Sequence, residues 1–264
     1  MSLARLALVR LAPTVDVQVT QLRRTLCRAS TNRAFNQIRT MSERDEVGVK
    51  KRTIRGVVFD MDGTLCVSAA LDFTEMRRRV GCATADILGE VDSWDAERRA
   101  KAYEIIGEME REALRTTTIM PGAVDVAATL DEMKIPRALV TRNAASSVDF
   151  FHDEVWSIAP FSPWLSREFK PYKPAPDALL HICEKWGCSA SEIIMVGDSA
   201  KDDVVSGNRA GAITVLLDSG RTKKWSEEFG VDKLAEEMTP HFICANMSEL
   251  QTLLTQSDYF EFAN

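Results

Sequence analysis

Histidine and metal-spaced cysteine are scarce in this 264-residue chain. Its three histidines (His152, His181, His241) and six cysteines (Cys27, Cys66, Cys82, Cys183, Cys188, Cys244) show no zinc-ligand spacing, and Cys183 and Cys188 stand five positions apart. A zinc site is therefore not expected. Nor is a disulfide scaffold, and the cysteines read as reduced, mostly buried thiols. No stretch approaches the roughly 18 uninterrupted apolar residues of a membrane span, since the run Leu6–Val9 is closed in by Arg5 and Arg10. No membrane partner is expected. Positive charge is also short. Lys+Arg number 33 against 39 Asp+Glu, a net charge of −6. Residues 1–42 hold seven Arg, one Asp and no Lys or Glu, a net +6, so the remainder carries −12. Such an acidic body lacks the basic face that nucleic acid requires.

What is present is ordinary for a soluble globular protein: 45% hydrophobic and 27% charged residues, enough to exclude a disordered or collagen-like chain. The length suits one sizeable domain or a domain with a small partner. Nothing in the sequence sets the oligomeric state. Residues 1–42 are Arg-rich and acid-poor, with eight Ser or Thr, the composition of an organelle transit peptide. Mitochondrial import is the expectation, with plastid import, or a disordered tail on a cytoplasmic protein, as alternatives. Residues 43–53, which begin with mixed charge, read as a linker.

From residue 54 onward, short apolar runs alternate with helical patterns. Ile54–Asp60, Ile135–Thr141, Ile193–Gly197 and Ala212–Leu217 read as buried strands, and His241–Ala245 as a weaker fifth. Between them, Val124–Lys134, Pro176–Trp186, Asp203–Ala210 and Met247–Thr255 read as helices. This alternation predicts an α/β fold with a doubly wound, parallel, Rossmann-like sheet, whose ligands bind beyond the carboxyl ends of the strands. Residues 67–120 interrupt it. They show no convincing strand and at least one long helix, about Trp94–Thr116, with Ala96, Ala100, Tyr103, Ile106, Met109 and Ala113 as its apolar stripe. The reading is a catalytic core over 54–66 and 121–264, with a small helical cap over 67–120 that excludes water and selects substrate.

The segment Val57–Leu65 (VVFDMDGTL) carries the chemistry. An apolar run delivers Asp60 to a strand end, Asp62 follows, and Gly63–Thr64 permit a sharp turn. Two carboxylates so close repel unless a divalent cation lies between them or they share a proton. Mg2+, which takes carboxylate, water and phosphate oxygens, suits the first case. Asp60 can then attack phosphorus to give an aspartyl-phosphate. Asp62 can protonate the leaving oxygen and later deprotonate water.

This segment resembles the haloacid dehalogenase-like hydrolases, whose D-x-D-G-T motif holds the nucleophile and the acid/base. The resemblance implies three further motifs, and each has a match in order. Thr141, ending ALVTRN, matches the strand-end hydroxyl that donates to phosphate, and Arg142 and Asn143 beside it are candidate phosphate contacts. Lys173, in Lys173-Pro174-Ala175-Pro176-Asp177, matches K-P-x-P-[DE] and would offset phosphate charge; Lys170, also before a proline, is its rival. Asp198, in Met195-Val196-Gly197-Asp198, matches the metal ligand that follows the strand's glycine. Asp203 or Asp202 would complete the metal shell, and the position of Gly207-Asn208-Arg209-Ala210-Gly211 favours Asp203.

The family implies a Mg2+-dependent phosphoric monoester hydrolase acting on a small phosphorylated metabolite, with Asp60, Asp62, Thr141 and Lys173 catalytic. A phosphosugar mutase and a catalytically weak phospho-ligand-binding protein are the alternatives. Three features bear on the choice. Family members with this cap often carry Asp-Ser shortly after D-G-T-L, where this chain has Cys66-Val67-Ser68. Asp62, absent from true dehalogenases, favours phosphate over carbon–halogen chemistry. Lys101 falls within the polar pattern of the long helix, which leaves no lysine placed for a Schiff base and argues against phosphonate cleavage.

Overall fold

A computed structural model describes residues 51–68, 72–84, 86–218 and 236–263. The expected transit peptide, and the linker up to residue 50, lie outside the described residues. Along the chain the strands and helices are β1 (Arg52–Ile54), β2 (Gly56–Phe59), β3 (Cys66–Ser68), α1 (Phe73–Val80), α2 (Ile87–Asp92), α3 (Ala96–Leu114), β4 (Thr117–Ile119) and α4 (Ala123–Glu132). Then come β5 (Arg137–Val140), α5 (Ala145–Phe150, continued as a π turn over Phe151–Val155), β6 (Trp164–Leu165), α6 (Asp177–Trp186) and β7 (Ile193–Gly197). A second π turn over Ala200–Val204 leads into α7 (Val205–Ala210), followed by β8 (Ile213–Leu217), β9 (Phe242–Cys244), α8 (Met247–Gln256) and β10 (Phe260–Phe262).

Six strands form one sheet in the order β6-β5-β2-β7-β8-β9, and every pairing in it is parallel. The sequence dictates this. β2, β7 and β8 are buried along their whole length, as a sheet covered on both faces requires. Alternate residues serve opposite faces. Val57 and Phe59 join the core under α4 and α8, with Leu130, Leu250 and Leu253, whereas Val58 packs with Leu179 and Ile182 of α6. Each such fully buried side chain contributes about 1.5–3 kcal/mol. Doubly wound α/β architecture is as expected from the alternation.

Four details differ from the reading of the sequence. The run Ile54–Asp60 is two strands, because Ile54 leaves the main sheet and pairs, within β1, with the C-terminal β10. Phe260 of β10 is thereby buried. Residues 67–120 do contain strand: β3 and β4 pair antiparallel at the two ends of the helical insertion. They are three residues each and too polar to register as apolar runs. On α3 the stripe is rotated. Ala96 and Ala100 are exposed, while Ala102, Ile106, Glu110, Ala113 and Leu114 are buried. The alanines, being small, give little amphipathic signal of their own. Last, the helix expected from Asp203 begins at Ala200 as a π turn.

The insertion has its own small core, in which Met76 of α1, Ile87, Leu88 and Val91 of α2, and Ala102 and Ile106 of α3 cluster. Aspartates start all three helices. Asp72, Asp86 and Asp95 each accept a hydrogen bond from a backbone N–H of the first turn, an arrangement worth about 1 kcal/mol per helix.

Candidate active site

Neighbouring strands β5, β2 and β7 stop at one edge of the sheet, and the residue after each is Thr141, Asp60 and Asp198 respectively. That is the edge where ligands bind in open α/β sheets. Carboxylate oxygens of Asp60, Asp198 and Asp203 converge there to within 4.8 Å of one another. Lys173 enters the group from the loop before α6. Its Nζ donates to Asp60 Oδ1 at 2.5 Å and to Asp203 Oδ1 at 2.6 Å, and its side chain is 2% exposed.

Two glycines make the approach possible. Gly63, with φ +78°, sits so close beneath Asp198 that a Cβ there would lie 2.0 Å from Asp198 Oδ2. A Cβ on Gly197 would lie 2.2 Å from Asp203 Cγ. The glycines of both motifs therefore leave room for carboxylates, in addition to turning the chain.

The π turn decides between the two adjacent acids. Successive residues on a helical turn point in different directions, so only one of them faces the site. Asp203 is the one that does: its Oδ1 takes the Lys173 bond and its Oδ2 accepts from the Ser199 N–H at 3.0 Å. Asp202 instead accepts from Arg142 Nη1 at 3.0 Å and stays outside the carboxylate group. Lys170 is likewise excluded, because its ammonium bonds Asp92 of the insertion.

Asp62 lies beside the group but not within it. Its Oδ2 accepts from Asn143 Nδ2 at 2.5 Å, and the Cys66 thiol approaches Oδ1 at 3.8 Å. Thr141 is buried and its Oγ1 accepts from the Asn143 N–H at 3.1 Å. Arg142 is engaged with other acids than those of the group. Its guanidinium bridges Asp202 and Asp86 and lies 5.1 Å from the Tyr172 ring centroid. Thus Asp60, Asp198, Asp203 and Lys173 are brought together, Asp62, Asn143 and Thr141 adjoin them, and Arg142, Asp202 and Lys170 are engaged elsewhere.

Burial shapes the electrostatics. Withdrawal from water raises Asp60, against the lowering effect of Lys173. The same cause pushes Asp62 up to about 6, opposed first by the Asn143 hydrogen bond. It pushes Asp203 up to about 7 against Lys173, and lifts Asp198 well above the ordinary range, with the charges of Asp60 and Asp203 adding to the rise. Burial alone would lower Lys173, but Asp203 and Asp60 hold it above the usual lysine value. Four carboxylates thus share one ammonium. Among them, three oxygen donors within 4.8 Å of one another fit a hard divalent cation of the Mg2+ type.

Several side chains of the insertion reach this edge, and sequence reasoning missed them. Glu110 of α3 accepts from Arg167 Nη1 at 2.5 Å. Asp92 of α2 accepts from Tyr103 Oη at 2.6 Å and Tyr172 Oη at 3.1 Å, besides Lys170. Glu110 had a signal: it falls between Ile106 and Ala113, in register with the buried stripe, where an acid needs a reason. Asp86 had no signal beyond its N-cap chemistry, and Asp92, the last residue of α2, had none.

Residues 54–211 match the family model of haloacid dehalogenase-like hydrolases. The chain is 44% identical over 217 residues to a haloacid dehalogenase-like hydrolase domain-containing protein of Arabidopsis thaliana, covering 77% of this chain and 85% of that one. It is 28% identical over 181 residues to hexitol phosphatase A of Escherichia coli, covering 62% and 83%. It is also 27% identical over 194 residues to a phosphoglycolate phosphatase of Chromobacterium violaceum, covering 63% and 86%. A solved hydrolase structure from Pseudomonas syringae shares the fold at a TM-score of 0.60 and 19% identity, over 76% of this chain and 97% of that one. With its four motifs gathered at one sheet edge and this family match, the chain belongs to the haloacid dehalogenase-like hydrolases.

Proposed function

We propose that this protein is a Mg2+-dependent phosphatase that removes phosphate from a small phosphorylated metabolite through an aspartyl-phosphate. The observation that carries the reading is the Lys173 ammonium bonded to both Asp60 and Asp203, with Asp198 converging on the same point. A binding protein has no need of a buried acid such as Asp62 beside that group. Relatives named as phosphatases support the same chemistry.

In this reading Asp60 attacks phosphorus and forms a carboxyl–phosphate bond as the ester P–O bond breaks. The departing oxygen takes its proton from Asp62 and leaves as an alcohol. Asp62, now a carboxylate held by Asn143, accepts a proton from water as that water attacks phosphorus. Inorganic phosphate is released and Asp60 regenerated. Lys173 offsets charge on the transferred group, and the Thr141 hydroxyl and Asn143 adjoin the phosphate position. Asp60, Asp198 and Asp203 would hold the Mg2+, directly or through water; when bound it neutralises phosphate charge and supports in-line transfer.

The insertion acts as the cap. Its support is a row of contacts from insertion to sheet edge: Asp86 to Arg142, Asp92 to Lys170 and Tyr172, and Glu110 to Arg167. The Arg-rich residues 1–42 support import into mitochondria, which a fusion of those residues to a fluorescent protein tests: uniform cytoplasmic fluorescence overturns it.

The test of the activity is release of p-nitrophenol from p-nitrophenyl phosphate with and without Mg2+. Turnover needs the metal and falls at least about 1,000-fold in Asp60→Asn, as expected for loss of a nucleophile. Metal-independent turnover, or a variant as active as the wild type, overturns it.

A further inference from the structure

Glu110 holds a polar atom that nothing among the described residues satisfies. The residue is 7% exposed, one carboxylate oxygen takes the Arg167 bond, and the other, Oε2, is buried with no hydrogen-bond partner. Asp62, Asn143, Thr117 and Glu110 line a cavity of about 10 Å³, room for about one water. The cavity is therefore lined both by the proton donor assigned to the leaving oxygen and by the insertion residue that carries the unpartnered oxygen. Whatever alcohol leaves from phosphorus starts on this side of the site.

We infer that Glu110 reads a hydroxyl of the leaving group, so that the enzyme favours phosphate esters of polyols and sugars over phosphate esters of carboxylic acids. This rests on the phosphatase reading. An ionised carboxylate oxygen can only accept, and leaving it buried without a donor is costly. A substrate hydroxyl supplies the donor. A substrate carboxylate would instead bring a second anion against Glu110 in a place shielded from water, where like charges repel strongly. A substrate ammonium is disfavoured by the Arg167 guanidinium already bonded to the same carboxylate at 2.5 Å. A hydroxyl is the donor that carries no charge into the pair. The small cavity volume also implies that a substrate of several carbons enters with the insertion displaced and the Glu110 side chain moving with α3.

The test is a comparison of kcat/KM for sorbitol 6-phosphate, 2-phosphoglycolate and p-nitrophenyl phosphate, using the full chain with Mg2+. The wild type is expected to favour sorbitol 6-phosphate over 2-phosphoglycolate by tenfold or more. Glu110→Gln sets an amide N–H2 in place of one acceptor. It is expected to lower the ratio of sorbitol 6-phosphate to p-nitrophenyl phosphate turnover by about 10- to 100-fold, the range for a hydrogen bond to a charged group, mainly through KM. The same substitution raises 2-phosphoglycolate relative to p-nitrophenyl phosphate. A wild type that prefers 2-phosphoglycolate overturns the inference without any variant. So does a Glu110→Gln enzyme in which all three substrates fall together, as a purely structural role would give. If the wild type turns over none of the three, the phosphatase reading fails, and this inference fails with it.

Discussion

Among the described residues Lys173 is the cation bonded within a group of acids, so Lys173→Met probes how that group is held together. The ammonium is 2% exposed and lies 2.5 Å from Asp60 and 2.6 Å from Asp203. Removing one member of a buried ion pair costs about 3–5 kcal/mol, because the remaining charge is left without compensation. Here two carboxylates lose their partner, which places the effect toward the upper end. For a folded body of 150–250 residues each kcal/mol moves Tm by about 2–4 °C, so the fall is about 6–20 °C in metal-free buffer at pH 8. The direction with pH follows from proton binding. Without Lys173, Asp60 and Asp203 rise further, so the folded state holds protons that the unfolded state has released. Stability then decreases as pH rises from about 4 through neutrality. At pH 5 protonation relieves the repulsion and the fall in Tm is smaller. Thermal melts of wild type and variant at pH 5 and pH 8, in EDTA, read this directly. A fall below about 3 °C at pH 8, or one equally large at pH 5, would refute the reasoning.

Further outcomes follow from the same geometry. The Asn143 hydrogen bond holds Asp62 down against burial, from which it emerges at about 6. Asn143→Ala should move the alkaline limb of the kcat/KM profile for p-nitrophenyl phosphate upward by roughly half a unit to one unit, the equivalent of a bond worth about 1 kcal/mol; a limb that moves down contradicts the assignment of Asp62 as the acid. Asp203→Asn should reduce Mg2+-supported turnover by about 100-fold or more, whereas Asp202→Asn, which loosens Arg142, should cost less than about tenfold. Equal losses in the two variants would contradict the division made by the π turn.

Much of this was legible in the sequence, because the informative residues sit where backbone rules are strict. A strand buried on both faces is a continuous apolar run, so β2, β7 and β8 announce themselves and deliver Asp60 and Asp198 to one edge. Lys173 follows from the resemblance of Lys173–Asp177 to the family's K-P-x-P-[DE] motif, which sets it apart from Lys170. Other features depend on contacts between distant segments. The position of Gly207–Gly211 favours Asp203 over Asp202 in the sequence, but what divides them lies far away: Arg142, 60 positions earlier, takes Asp202, and Lys173, 30 earlier, takes Asp203. The strands β3 and β4 are stabilised by each other more than by their own composition. Glu110 showed itself only as an acid in an apolar register, and its meaning depends on Arg167, 57 positions away.

The central claim is that Asp60 carries the phosphoryl group. Acid-quenching the enzyme during turnover of p-nitrophenyl phosphate with Mg2+, followed by peptide mass spectrometry, tests it most directly. A peptide containing Asp60 should gain the mass of one phosphoryl group, about 80 Da, with no such gain in Asp60→Asn. Steady turnover with Asp60 unmodified at every quench time, together with an active Asp60→Asn enzyme, would contradict the account.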